Sequence, residues 1–290
     1  MKLESDDLED ERFVPVSRSA WVGGQPEPET LDLVAREEPL ELRVGGVPIA
    51  VVMRTPGHDE ELARGFLLSE RILEHPGQIA SIRHCDTVSA PEAEDNVMLV
   101  RLREDCTIDL AALRRNLYAS SSCGVCGKAS IDAAMAPTRG RLPRPDPIQV
   151  ELSTLYALPE ALSTGQQVFA RTGGLHAAGL FSSTGQKLVI REDVGRHNTV
   201  DKVIGWAAMR GVDLADKVLM VSGRVSFEIT QKAAALGIPV VAAVSAPSSL
   251  AIGLAQRTGL TLVCFVRGQR LCVYSGAERL VPATHALSSS

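Results

Sequence analysis

Residues 218–266 read VLMVSGRVSFEITQKAAALGIPVVAAVSAPSSLAIGLAQRTGLTLVCFV, and this stretch decides the fold. It contains three short apolar runs with the length of buried strands, separated by two longer segments of helical composition. Nearly continuous apolar strands that alternate with helices are typical of a largely parallel sheet covered by helices on both faces. The predicted elements are strand 218–221, helix 227–236, strand 239–244, helix 248–256 and strand 260–266.

The alternation begins earlier in the chain, with a predicted strand at 187–191 and a predicted helix at 198–209. Gly211, Gly237 and Gly259 each follow a predicted helix, where a glycine can adopt the left-handed conformation that ends it. These features predict the α/β class: a three-layer domain with a mostly parallel sheet.

The amino-terminal part has a different pattern and predicts a smaller α+β subdomain. Two β-favouring runs, 40–44 and 47–55, flank Gly45-Gly46 and indicate a hairpin, and a helix is expected from Asp59. Further strands are predicted at 79–84 and 96–102, a helix at 109–119, and a surface connector at the proline-rich stretch 137–147. The predicted division is an acidic, flexible segment at 1–37, an α+β subdomain at 38–119, an α/β domain at 120–276 and a tail at 277–290.

Composition excludes several classes of protein. The 290 residues carry a net charge of -5, whereas nucleic-acid binders usually need a basic field to displace the counterions around phosphate. No apolar run approaches the ~20 residues that cross a bilayer, and the acidic start is unlike a secretory signal. We therefore expect a cytoplasmic protein with no membrane or nucleic-acid partner.

Polar residues follow several predicted strands of the α/β domain. In open α/β sheets, ligands bind beyond the carboxyl ends of the strands, and arginines together with helix amino termini suit phosphate groups. Ordinary helix caps and solvated turns are the alternative interpretation of any one loop. The residues in question include Arg224 after one strand, Arg267 and Arg270 after another, and His197 after a third. His197 is equally compatible with a contact to an anion and with an internal hydrogen bond.

Residues 121–128 read SSCGVCGK and contain the paired thiols Cys123 and Cys126. A helix is expected to begin directly after this loop, and a thiol near a helix amino terminus and Lys128 has its thiolate favoured. Zinc binding, thioredoxin-like exchange, persulfide transfer and a purely structural pair all fit the spacing. Cys264 and Cys272 lie in apolar runs and are interpreted as small core residues.

Four motifs together resemble the FdhD family, the formate dehydrogenase accessory sulfurtransferases. The similarity runs from about residue 38 to about residue 276. The motifs are the cysteine loop 121–128, TGGLHAA at 172–178, REDVGRHN at 191–198 and SGR at 222–224.

The resemblance implies that a cysteine desulfurase supplies sulfur as a persulfide on the cysteine loop. The sulfur then passes to the molybdenum bis(molybdopterin guanine dinucleotide) cofactor before its insertion into formate dehydrogenase. By similarity Cys123 is the carrier, whereas the chemistry of the loop favours Cys126, which is nearer the predicted helix.

The resemblance also implies a cofactor site, a homodimer and a fold similar to that of cytidine deaminases. Guanine nucleotides would serve as cofactor analogues. The deaminase zinc motifs are incomplete, because Ala177-Ala178 follow His176 and Ser122 precedes Cys123, so no zinc is expected. A cofactor-binding chaperone without catalysis and a thiol-disulfide oxidoreductase are the alternative functions. The expected cofactor-binding residues are Phe265, Val266, Arg267, Gly268, Gln269 and Arg270, assisted by Arg224 and His197.

Overall fold

The structure is a computed structural model that describes residues 10–87, 95–106, 108 and 148–282. Sixteen strands and six α-helices are defined within these residues. The strands are β1 Phe13–Arg18, β2 Trp21–Val22, β3 Gln25–Pro26, β4 Thr30–Ala35, β5 Glu38–Val44, β6 Val47–Arg54, β7 Ile79–His84, β8 Val97–Leu102, β9 Val150–Glu151, β10 His176–Ser182, β11 Lys187–Asp193, β12 Lys217–Val221, β13 Val240–Ala243, β14 Thr261–Arg267, β15 Arg270–Ser275 and β16 Leu280–Val281. The helices are α1 Asp59–Ser69, α2 Leu152–Ser163, α3 Gln167–Thr172, α4 Arg196–Met209, α5 Phe227–Ala235 and α6 Ser249–Thr258.

The large sheet has six strands in the order β11-β10-β12-β13-β14-β15, and it is mixed. Only the pairs β12–β13 and β13–β14 are parallel, so the prediction of a mostly parallel sheet is wrong. The reason is that β10 and β11 form one hairpin and β14 and β15 another, and short turns can join only antiparallel strands. The likeness to cytidine deaminases stays a prediction.

Helices cover both faces of this sheet, as predicted. One face packs against α4, α5 and α6 in a core that includes Val203, Ile229 and Ala255. The opposite face packs against α2 through Leu155 and Leu158. The predicted strands and helices between residues 187 and 266 are all present, and each of the three helix-ending glycines has a positive φ.

The amino-terminal strands form a second sheet in the order β6-β5-β8-β7, with α1 packed on it. The predicted hairpin is confirmed, with Gly45 and Gly46 at φ values of 57° and 82° in its turn. Helix α1 begins at Asp59, also as predicted. The predicted helix 109–119 and the connector 137–147 lie outside the described residues.

Helices α1 and α4 cross at two glycines. A β-carbon on Gly65 would overlap the carbonyl oxygen of Asp201, and one on Gly205 would overlap that of Glu61. The two backbones can approach so closely only because neither position carries a side chain. One hydrophobic core therefore runs from Leu40 in the amino-terminal sheet to residues of the large sheet, across the predicted boundary at 119/120.

The segment that was expected to be flexible contains four short strands, β1 to β4, between residues 13 and 35. Strands β1 and β4 pair antiparallel, and Phe13 and Leu33 are buried against Val168 and Leu175. The strands were not predicted because the acidic residues near the start indicated a flexible segment, and the alternation of apolar residues that follows them is short. None of the helices in the described part of the chain combines the length and apolar character needed to cross a bilayer.

Candidate functional site

The candidate site lies at the edge of the large sheet where β12, β13 and β14 end, called here the carboxyl edge. Strand β11 also ends there, and β10 begins there, because β10 runs antiparallel to both β11 and β12. The structure therefore brings the loops that follow β11, β12, β13 and β14 to one edge, although the strand directions differ from those predicted. In open α/β sheets this edge is where ligands bind.

Part of the motif at 191–198 fixes the loop between β11 and α4. The Asp193 carboxylate is fully buried, accepts hydrogen bonds from Gly195 N and Asn198 Nδ2 at 2.8 Å, and lies 2.7 Å from Lys202 Nζ. Asn198 Nδ2 also donates to the carbonyl oxygen of Met53 in β6 at 2.7 Å. Asp193 and Asn198 therefore hold the amino terminus of α4 against the amino-terminal sheet.

Arg191 and Glu192 of the same motif also have structural partners. Arg191 donates from Nε and Nη2 to the two carboxylate oxygens of Glu61, at 2.6 and 2.8 Å. The Glu192 carboxylate accepts from the backbone N–H groups of Val168 and Phe169 and so caps α3. The alternative interpretation as an ordinary helix cap fits Glu192, whereas Arg191 forms an ion pair between two distant parts of the chain.

His197 is mostly buried behind the first turn of α4. Its Nε2 lies 3.2 Å from Ser226 Oγ and 3.8 Å from a Glu228 carboxylate oxygen. Burial, followed by the positive charges of Lys232 and Arg196, lowers the pKa of His197 to about 4. The imidazole is therefore neutral at pH 7 and is held by a hydrogen bond within the chain.

His176, the first residue of β10, lies between two cavities and lines both of them. One cavity of about 340 Å³ is also lined by Arg196 and His197, and the other, of about 550 Å³, by Ser222 and Gly223. Burial and then the charges of Arg196 and Arg224 lower the pKa of His176. His176 belongs to the motif at 172–178, but it was not among the residues expected to bind the cofactor.

Two arginines and a helix amino terminus bring positive charge to the His176 side of this edge, whereas Glu70, Asp201 and Glu228 also line the smaller cavity. Arg196 is the first residue of α4, and its Nε is buried with no hydrogen-bond partner among the described residues. Arg224 is exposed directly after β12. The partial positive charge at the start of α4 adds to both guanidinium groups, so the arrangement suits a phosphate or another anion.

The segment from Phe265 to Arg270 lies on the same edge, one loop away from the cavities. Phe265 is a bulge residue with φ of 55°, and its N–H donates to Ser245 O at 3.2 Å. Val266 is fully buried in the core below the sheet, so it cannot contact a ligand from solvent. Phe265, Arg267, Gly268, Gln269 and Arg270 are exposed.

A buried ionic cluster forms the floor of the smaller cavity, and sequence analysis missed it. Lys232 Nζ lies 2.9 Å from Asp201, Glu70 and Ser69. Burial raises the pKa of Asp201 to about 6, so the carboxylate is still mainly ionised at pH 7 and pairs with Lys232. Charged residues at otherwise apolar helix positions were the signal that could have revealed this cluster.

Cys123 and Cys126 lie outside the described residues, so their roles stay predictions. No group of three or more His, Cys, Asp or Glu side chains in the described ranges could hold a metal ion. The expected absence of zinc at the cysteine loop likewise stays a prediction.

Comparison with known proteins identifies the group to which the chain is related. The model of the FdhD/NarQ family matches residues 35–281. The sulfur carrier protein FdhD of Mycobacterium tuberculosis is 51% identical over 258 residues, which cover 87% of this chain and 92% of that protein. The corresponding proteins of Streptomyces coelicolor and Thermoplasma volcanium are 49% and 44% identical, over 86% and 87% of this chain and 89% and 91% of their own lengths.

A crystal structure from Desulfotalea psychrophila, described as a candidate formate dehydrogenase accessory protein, has the same fold. The TM-score is 0.73 at 22% sequence identity, and the match covers 93% of this chain and 99% of that one. Because the family model spans most of the sequence and relatives are about half identical over nearly their whole length, this chain belongs to the FdhD/NarQ family.

Proposed function

We propose that this chain is a sulfur carrier that takes persulfide sulfur from a cysteine desulfurase and transfers it to the bis-guanylate molybdenum cofactor. The cofactor would then be inserted into a formate dehydrogenase. The observation that carries the proposal is the similarity, over nearly the full chain, to proteins named sulfur carrier protein FdhD. We further propose that the chain acts in the cytoplasm as a homodimer.

The proposed loading step requires one thiolate on the cysteine loop. The thiolate of Cys123 attacks the outer sulfur of the desulfurase persulfide, a new sulfur–sulfur bond forms, and the desulfurase cysteine leaves as a thiolate. Cys123 then carries the persulfide, with no net oxidation in the exchange. Cys126, at the predicted helix start, can exchange roles with Cys123.

The second thiol, Cys126, can release the sulfur of the Cys123 persulfide as sulfide. Attack of Cys126 on the inner sulfur of the Cys123 persulfide forms a disulfide between the two residues and expels hydrosulfide, which the cofactor would receive. The two electrons come from the thiols, so an external thiol must reduce the disulfide before the next cycle. A sulfurtransferase therefore needs both cysteines, whereas a chaperone that only binds the cofactor needs neither.

The carboxyl edge is the proposed binding site for the cofactor, whose guanylate groups carry phosphate. Arg196 at the start of α4 and the exposed Arg224 both offer positive charge near His176, close enough to lower the pKa of its imidazole. Burial lowers the pKa of His176, which favours the neutral imidazole, and a neutral imidazole can donate one hydrogen bond and accept another without adding charge. The exposed ring of Phe265 lies one loop away, where it can contact a planar base.

Intact-mass measurement tests the proposal. After incubation with a cysteine desulfurase and cysteine, the chain should gain the mass of one sulfur and lose it on treatment with a thiol. The Cys123→Ala, Cys126→Ala double variant should gain nothing, whereas Cys85→Ala, which removes a thiol of the amino-terminal sheet region, should load normally. Loading of the double variant to the same extent would refute the proposal.

A further inference from the structure

Cys264 and Cys272 are direct cross-strand partners on the antiparallel pair β14–β15. Their neighbours Val263 and Val273 are also paired, and the register shifts only outside these two pairs, between Leu262 and Val263 and between Cys264 and Arg267. Directly opposite residues of an antiparallel pair have α-carbons about 4.5–5.5 Å apart, within the range of about 4.4–6.8 Å that a disulfide spans. Both thiols are free in the structure.

The two side chains lie on the same face of the sheet. Cys264 is fully buried in the core that includes α6, and Tyr274, two residues after Cys272, packs against that same core. Residues two apart on a strand share a face. Cys272 is only half-buried, so one thiol of the pair can be reached from solvent while the other is shielded.

We propose that Cys264 and Cys272 are a redox-active dithiol that a peroxide closes to a disulfide. The peroxide first oxidises the accessible Cys272 thiol to a sulfenic acid and is reduced to water. The Cys264 thiol then attacks that sulfur, a disulfide forms, and a second water leaves. Two thiols are oxidised by two electrons in total, and the peroxide accepts both.

Closure of the disulfide would enclose residues 265–271 in a short covalent loop. This segment contains the strained Phe265 and the turn at Gly268, both with positive φ. A covalent link across the strands restricts the conformations open to such a loop. The consequence for cofactor binding rests on the proposed function, because 265–270 is the expected cofactor-binding segment, but formation of the disulfide does not.

Peptide mapping of the full chain tests the proposal directly. After treatment with hydrogen peroxide, alkylation and tryptic digestion without reductant, peptides 258–267 and 271–279 each hold one cysteine and should be recovered as one linked species. A thiol reductant should separate them. Cys272→Ser should abolish the linked species, whereas Cys85→Ser, which changes another free thiol, should leave it intact.

The rate of closure gives a second readout. Burial and then the neighbouring Cys272 raise the pKa of the Cys264 thiol to about 12, so its thiolate is scarce at neutral pH. Once Cys272 is a sulfenic acid, its conversion to the disulfide should therefore accelerate roughly tenfold per pH unit between pH 7 and 9, because the Cys264 thiolate is the attacking form. Recovery of the two peptides as separate species, with Cys272 oxidised and Cys264 alkylated after unfolding, would overturn the proposal. Persulfide loading of Cys123 or Cys126 is measured separately, so either proposal can fail alone.

Discussion

At the scale of single residues, the motif 191–198 has a structural role and a role in lining the cavity. Its sequence alone does not show which residues have which role. Arg191, Asp193 and Asn198 contact the amino-terminal part of the chain, whereas Arg196 lines the cavity at the carboxyl edge. The polar character of the motif could be read from the sequence. The directions of its side chains could not, because partners such as Glu61 lie 130 residues away along the chain.

The buried imidazole of His197 predicts a dependence of stability on pH. Its pKa of about 4 in the folded state is below the usual value of 6.5, so the unfolded chain binds the proton more tightly. The stabilisation from this group is complete above pH 6.5 and should be lost as the pH falls to 4, by about 1–3 kcal/mol. Urea unfolding of the parent chain and of His197→Gln at several pH values measures it. Parallel curves for the two proteins would contradict the assignment.

At the scale of secondary-structure elements, the strands and helices between residues 187 and 266 could be predicted from apolar runs, whereas α2, α3 and β15 were missed. Strand β10 was missed because His176–Ser182 contains Ala177, Ala178 and Gly179, small residues with weak strand propensity. Its omission hid the β10–β11 hairpin, and β15 was missed as well, so the sheet was wrongly predicted to be mostly parallel. Helices α1 and α4 were both predicted, but their crossing depends on backbone contact that no local pattern encodes.

Replacement of Gly205 by alanine should test the crossing of α1 and α4. The new methyl group would overlap the backbone of α1 at Glu61, so we expect a loss of about 2–4 kcal/mol in the free energy of unfolding. Gly253→Ala in α6 is the matched control, because only the end of the flexible Arg257 side chain lies near the added carbon. That helical position should gain about 0.5–1 kcal/mol. Equal effects at the two glycines in chemical denaturation would contradict the close approach.

At the scale of the whole molecule, the candidate site is built from segments that are distant in sequence. The loops after β11, β12, β13 and β14 meet at one edge, as expected from the rule for open α/β sheets, even with two strands reversed. The sequence could therefore identify the edge. Which residues share a cavity could not be predicted, since His176 and Arg196 meet there while Phe265–Arg270 lies one loop away.

Binding of guanosine diphosphate should depend on arginines at this edge. Arg224→Ala and Arg270→Ala should each weaken binding by about 1.5–3 kcal/mol, or roughly ten- to a hundredfold, if each guanidinium donates to phosphate. Arg257→Ala is the control, because Arg257 lies in the last turn of α6, at the opposite end of that helix from the carboxyl edge. Calorimetry gives the affinities. Parent-like binding by both edge variants, with the fold intact, would move the site elsewhere.

The shared core also has a consequence for the newborn chain. Helix α1 leaves the ribosome 127 residues before α4 begins, counted from Ser69 to Arg196. At the usual speed of translation, roughly 5–20 residues per second, this interval lasts roughly 6–25 s. Throughout it, the face of α1 around Gly65, which lies against Asp201 of α4 in the finished protein, lacks that partner. Synthesis of this chain therefore includes a period in which a general chaperone has an uncovered helix face to protect.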